Sequence, residues 1–270
     1  MNKLAVVVGG TSALPNAFVV LRGFEESIKT AAKFGYNGVE LALKNANEIN
    51  RYKLSKLLNE TNLEVSAIST GQIYADSKLM FTHQDRVKRE EVIDIFKEII
   101  DLASEFGQKV NIGRVRGSIE KSDGGKASVK RFVETIRILC DYANDKSVTL
   151  LLEPVNRYEL NFINSVKEGA EMLEKVNRPN LKLMPDLFHM NIEDTEIGDE
   201  LVRFIDQIGY IHLADSNRHV PGQGHIDFKS IIDKLTSARY NGWFSVEILP
   251  FPDPETAARQ AAEYIRPLLK

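Results

Sequence analysis

The feature that most constrains this chain is a regular alternation. Eight short runs rich in Val, Ile and Leu, at 3–8, 38–43, 64–69, 109–113, 148–153, 181–186, 210–214 and 243–249, are separated by segments of helical period. Strands that alternate with helices run parallel, because each helix carries the chain back across one face of the sheet. Near-continuous apolar runs such as "LAVVV" and "TLLLE" mark strands covered on both faces. Segment 86–107 shows the intervening pattern, with Val92, Ile95, Phe96, Ile99, Leu102, Ala103 and Phe106 on one helical face. Gly35, Gly107, Gly209 and Gly242 end their segments and are expected as left-handed caps. The stretch 70–85, "TGQIYADSKLMFTHQD", is longer than its neighbours need; long rim loops are often lids, with surplus loop the default reading.

Eight strand–helix units are enough to close a barrel, and 270 residues is an ordinary length for one. No Pro- or Ser-rich linker divides the chain, so the expectation is a single α/β domain over 1–270, a (β/α)8 barrel. The competing architecture is a doubly wound open sheet. Its dinucleotide-binding form needs GxGxxG after the first strand, and "VVVGGTSALPN" lacks that spacing.

Charge narrows the partners. The chain has 35 basic and 38 acidic residues, interleaved, for a net charge of −3. No basic stripe is offered to a phosphate backbone, which argues against nucleic acid. No apolar run approaches membrane length, and a cytoplasmic location is expected. The one cysteine, Cys140 in "TIRILCDYA", reads as a buried helical thiol rather than a nucleophile.

In parallel barrels the loops that carry chemistry converge at the carboxyl ends of the strands. The fifth strand ends at Glu153, the sixth at Asp186, the seventh carries His212 and the eighth Glu247. Any one of these is more often a solvated or paired rim residue than a ligand. Together they put three carboxylates on one rim, where mutual repulsion makes ionisation costly unless a cation neutralises them. One divalent ion does so, and three carboxylates with one imidazole suit Mn²⁺, Co²⁺ or Mg²⁺. Glu159, His189 and Arg218 lie nearby in sequence and are suited to sugar hydroxyls, with a surface-loop role equally open. His83, His219 and His225 have weaker claims, and Asp227 is expected to cap the next helix. Glu40, inside "GVELAL", is either a rim residue or a buried carboxylate paired with a base.

The motifs "EPVNRYE", "DLFHMNIE", "HLADSNRHVPGQGHIDF" and "GWFSVEILP" together resemble the sugar isomerase/epimerase family with the xylose-isomerase-like TIM barrel. Within it the D-tagatose/D-psicose 3-epimerases are similar, and "STGQIY" and "NIGRVRG" resemble ketose epimerases acting on 5-keto-L-gluconate and D-psicose. The likeness runs over about residues 3 to 265. It implies one divalent metal held by Glu153, Asp186, His212 and Glu247, with Glu153 and Glu247 doubling as the acid–base pair. It also implies that Glu159, His189 and Arg218 grip a small keto sugar, and that the enzyme is a homodimer or homotetramer. The implied reaction is 3-epimerisation of a keto sugar or keto sugar acid through an enediolate. Aldose–ketose or inosose isomerisation or dehydration on the same site is the alternative. An endonuclease IV-like phosphodiesterase would need three zinc ions and histidines on the second and third strands, where this chain has Glu40 and Thr70.

Overall fold

The structure, a computed structural model, describes residues 2–14, 17–120 and 125–269. Its strands are β1 (Lys3–Gly9), β2 (Leu21–Arg22), β3 (Gly38–Ala42), β4 (Glu64–Ser69), β5 (Lys109–Ile112), β6 (Thr149–Leu152), β7 (Leu181–Leu183), β8 (Ile211–Leu213) and β9 (Trp243–Val246). All pair in parallel, in the order β7-β6-β5-β4-β3-β1-β9-β8. The two ends of that order meet through single bridges, Leu183 with Ile208 and Asp186 with His212. The amides of Gly209 and His212 donate to Leu183 O and Pro185 O, each at 2.9 Å, and the ring closes. This is the expected (β/α)8 barrel, with one addition: the two-residue β2 lies beside β1.

The helices are α1 (Phe24–Lys33), α2 (Arg51–Thr61), α3 (Gly71–Ser77), α4 (Arg86–Glu105), α5 (Lys126–Asn144), α6 (Val166–Val176), α7 (Leu187–Glu193), α8 (Ile197–Arg203), α9 (Phe228–Ser237) and α10 (Pro254–Ile265). Side-chain oxygens start several of them: Asn50 accepts from Lys53 N, Ser165 from Glu168 N and Asp253 from Thr256 N. Asp227 caps α9 as expected, through Ser230 N. No helix among the described residues is long and apolar enough to cross a membrane.

Two glycine expectations need correction. Gly35 and Gly107 are left-handed, with φ of 76° and 83°, but Gly209 and Gly242 are not. Gly209 is used for space instead, since a Cβ there would sit 2.9 Å from both Leu151 Cδ2 and Lys182 Cβ. The left-handed residues after α2, α6 and α9 are Asn62, Asn177 and Arg239. The rim stretch 70–85 is also more ordered than a loop, because α3 occupies its first half.

Period two sorts each strand. Leu4, Val6 and Val8 of β1 face outward into the large core shared with the helices. Inward-facing Ala5, Ala67, Leu151, Met184, Tyr210 and Trp243 form a separate cluster that plugs the barrel interior. Two residues further along, the same inward parity places Glu153, Asp186 and His212, and it places Glu247 four beyond Trp243. The ladders end before Glu153, Asp186 and Glu247, so these side chains stand just above the apolar plug.

Candidate metal centre

One ligand atom from each of Glu153, Asp186, His212 and Glu247 lies within 4.8 Å of all the others. Asp186 and His212 are fully buried, and Glu153 is nearly so. His212 Nδ1 is central: it is 3.5 Å from Glu153 Oε1, 3.6 Å from Glu247 Oε2 and 3.9 Å from Asp186 Oδ2. It is also a buried nitrogen with no hydrogen-bond partner in good geometry. The other ring nitrogen, Nε2, sits 3.0 and 3.1 Å from the two oxygens of Glu40. Glu40 is therefore the buried carboxylate paired with a base, the second of the two roles left open for it.

Three carboxylates and an imidazole lone pair, converging on largely buried side chains, fit one divalent ion. The orphaned Nδ1 is the atom such an ion satisfies. Among the described residues this is the one cluster of this kind. Thr70 donates to Asn111 O at 2.8 Å, and Glu40 is occupied below His212, so neither is free to build a three-metal centre.

Each ligand is held from behind. Asn111 Nδ2 donates to Glu153 Oε2 at 2.9 Å. Asp186 is also the N-cap of α7, its Oδ1 accepting from Phe188 N at 2.9 Å, which leaves Oδ2 for the centre. Arg218 Nη1 donates to Asp186 Oδ2 at 2.6 Å, and Nη2 pairs closely with Glu247 Oε2. The Arg218 guanidinium lies over the rings of Phe18 and Phe188, 4.3 and 4.9 Å from their centres.

Burial raises the carboxyls of Glu153 and Glu247, and neighbours decide the outcome. Burial pushes Glu153 up, but the nearby His212, its Nδ1 at 3.5 Å, and the His189 charge outweigh it and hold the carboxyl well below the ordinary range. Glu247 is pushed up to about 8, first by burial and further by the charges of Glu153 and Asp186, against the pull of His212 and Arg218. Burial works against a charge on His212 as well. The carboxylates of Glu40, Glu247 and Glu153 overcome it and raise the ring well above its usual value. A positive charge is what this pocket lacks, and without an ion a proton supplies it.

His189, Glu159 and Arg218 line the cavity above the cluster, a space of about 160 Å³ that also meets Phe18 and, from α3, Tyr74. Asn156 fixes the ring of His189. Its Oδ1 accepts from Tyr158 N at 3.0 Å, so its Nδ2 faces His189 Nδ1 at 2.7 Å. Nδ1 must then accept, and Nε2–H points to the cluster, 4.0 Å from Glu153 Oε1 and 3.9 Å from Asp186 Oδ2. Glu159 stands at the mouth, 3.7 Å from Arg114. His83 and His225 take no part, and His219 packs on Phe251. The sequence reading missed Asn111 and Asn156, the supports of two site residues. It also passed over Asp215, which holds the loop after β8 by accepting from Ser216, Gly222 and Ile226 amides.

A closed parallel barrel with an acid-rich, single-histidine cluster at its carboxyl-terminal rim defines a class of barrels whose rim could hold a cation. The match to known proteins agrees: over residues 28–268 the chain belongs to the xylose isomerase-like TIM barrel family. An L-ribulose 3-epimerase from Methylomonas sp. (strain DH-1) is 32% identical over 227 residues, which is 83% of this chain and 78% of that protein. A D-psicose 3-epimerase from Agrobacterium fabrum is 28% identical over 229 residues, 81% of this chain and 77% of its own. The crystal structure of a D-allulose 3-epimerase from Methylomonas sp. in complex with D-allulose superposes with a TM-score of 0.80 at 26% identity, covering 99% of this chain and 98% of that one.

Proposed function

We propose that this chain is a divalent-metal-dependent ketose 3-epimerase acting on a small keto sugar or keto sugar acid. It is an enzyme of the isomerase class, as its sugar-epimerase relatives are. The observation that carries the reading is the convergence of four ligand atoms within 4.8 Å around the orphaned Nδ1 of His212.

Glu153, Asp186, His212 and Glu247 would hold the ion, which, when bound, supplies Lewis-acid polarisation of a carbonyl and its neighbouring hydroxyl. Inverting a carbon needs a base on one face and an acid on the other, because one group alone returns the proton where it came from. Glu153 and Glu247 stand at the two ends of the arc β6-β7-β8-β9. Glu153 takes the C3 proton in one direction and Glu247 delivers one to the opposite face; the return reaction exchanges the roles. His189 offers Nε2–H to a substrate oxygen. Arg218 keeps Glu247 and Asp186 in place and, at the wall of the cavity, offers a guanidinium N–H to a sugar oxygen. Glu159 accepts from hydroxyls at the mouth.

A panel of ketohexoses, ketopentoses, keto sugar acids and inososes, run with Mn²⁺ or Co²⁺ in D₂O, tests this. The expected product is a 3-epimer carrying deuterium at C3. Epimer formed without deuterium, or turnover confined to inososes or aldoses, refutes it.

A further inference from the structure

We propose that Glu40 is a positioning residue for the metal centre: it holds His212 with the proton on Nε2, so that the Nδ1 lone pair faces the three carboxylates. The inference rests on the metal reading above and adds a residue that contacts neither ion nor sugar.

Glu40 is completely buried at mid-strand in β3, on the inward face of the barrel. A buried carboxylate is costly unless its oxygens are satisfied, and these are. Both face His212 Nε2, at 3.1 and 3.0 Å, and Oε2 also accepts from Tyr210 OH at 3.1 Å. Tyr210 OH is in turn 2.6 Å from Ser66 Oγ. A carboxylate only accepts, so the Tyr210 hydroxyl donates to Oε2, and the Ser66 hydroxyl beside it also reaches Val39 O at 3.1 Å. Both Glu40 oxygens are thus acceptors, and the nitrogen that faces them, Nε2 of His212, must carry a proton. Orienting a ligand histidine from its far nitrogen fixes both tautomer and ring angle.

The backbone is adapted to this arrangement. The β3–β4 ladder pairs Val39 with Val65 but Glu40 with Ala67, so Ser66 is an extra residue opposite the Val39–Glu40 step. A bulge breaks strict alternation and re-aims side chains. Here it lets consecutive Ser66 and Ala67 both reach the interior, Ser66 to Tyr210 and Ala67 to the apolar plug. The irregularity falls on the residue that completes the support beneath His212.

The test uses the whole protein and Mn²⁺ alone as ligand. Glu40→Met keeps the length and removes the acceptor, and Glu40→Gln keeps an acceptor and removes the charge. Titration calorimetry should show Mn²⁺ affinity falling about 10- to 100-fold in Glu40→Met and by a smaller factor in Glu40→Gln. In metal-free protein with ¹⁵N-labelled histidine, wild type should give a downfield, slowly exchanging Nε2–H proton for His212, and Glu40→Met should lose that protection. If Glu40→Met does not fold, Glu40→Gln decides alone. Variants that bind Mn²⁺ as tightly as wild type, or a wild-type His212 with no proton on Nε2, overturn the role of Glu40. Wild type that binds no Mn²⁺ overturns the metal reading and this proposal with it, a different result from matched affinities.

Discussion

Glu153 and Glu247 are the same residue type at the same rim, yet their surroundings drive their carboxyls in opposite directions. That difference has a measurable consequence for the metal-free protein. Glu247 has an ordinary value of 4.5 and a folded value of about 8, so between those limits the folded state holds a proton that the unfolded state has released. Stability from this group is present below pH 4.5 and is lost as pH rises through 8. The melting temperature of metal-free protein should therefore fall from pH 6 to pH 8, and added Mn²⁺ should raise it more at pH 8, where fewer protons must be displaced. A metal-induced shift that is larger at pH 6 would contradict this. Glu247→Gln should lower kcat by about 10²- to 10⁴-fold, with C3 deuterium exchange falling in step, as read by proton NMR. At this scale the sequence showed the charged residues well, because strand parity aims every second side chain inward and four strands end in Glu, Asp, His or Glu. It did not show Asn111 or Asn156. A neutral amide carries no signature of its own, and which way Asn156 faces depends on Tyr158 N, a contact made only after folding.

Among the elements, the turn after β5 shows how a support can be built without a counter-ion. Arg116 in "GRVRG" is fully buried and donates to four carbonyls: Gly113, Glu153, Phe162 and Ile163. It ties the end of β6, where Glu153 stands, to the loop that carries Asn156 and Glu159. Ile163, a branched residue, is held there at φ 58°. Arg116→Met should strip these carbonyls of their donor and lower stability by about 3 kcal/mol or more, as measured by urea unfolding. It should also raise KM, because Glu159 and His189 depend on that loop; an unchanged KM would separate the loop from the site. The long helices were legible from their periodic apolar faces, α4 above all. The seven-residue helices α3 and α7 were not, since two turns are too short for a period to repeat. The misread caps have a similar cause. Gly209 looks like a left-handed terminus in sequence, but its place against Leu151 and Lys182 is decided by packing between strands.

For the molecule as a whole, the alternation of strand and helix announced the barrel, because few other arrangements cover eight parallel strands on both faces. Where the ring would be weakest was not written there. Every other neighbouring pair in the order shares a named ladder, whereas β7 and β8 meet only at two isolated bridges. One of those bridges joins Asp186 to His212, two of the four residues that converge on the centre. Mn²⁺ should therefore slow hydrogen exchange at the Gly209 and His212 amides, which cross this join, more than at Val6 to Val8 in β1. Uniform slowing would count against it. The ion then acts as a clasp on a hoop whose last two staves are barely joined. On the proposed reading, loading it and shutting the hoop would become one event, and a chain starved of metal would open first beside its proposed catalytic groups, where a protease gains entry.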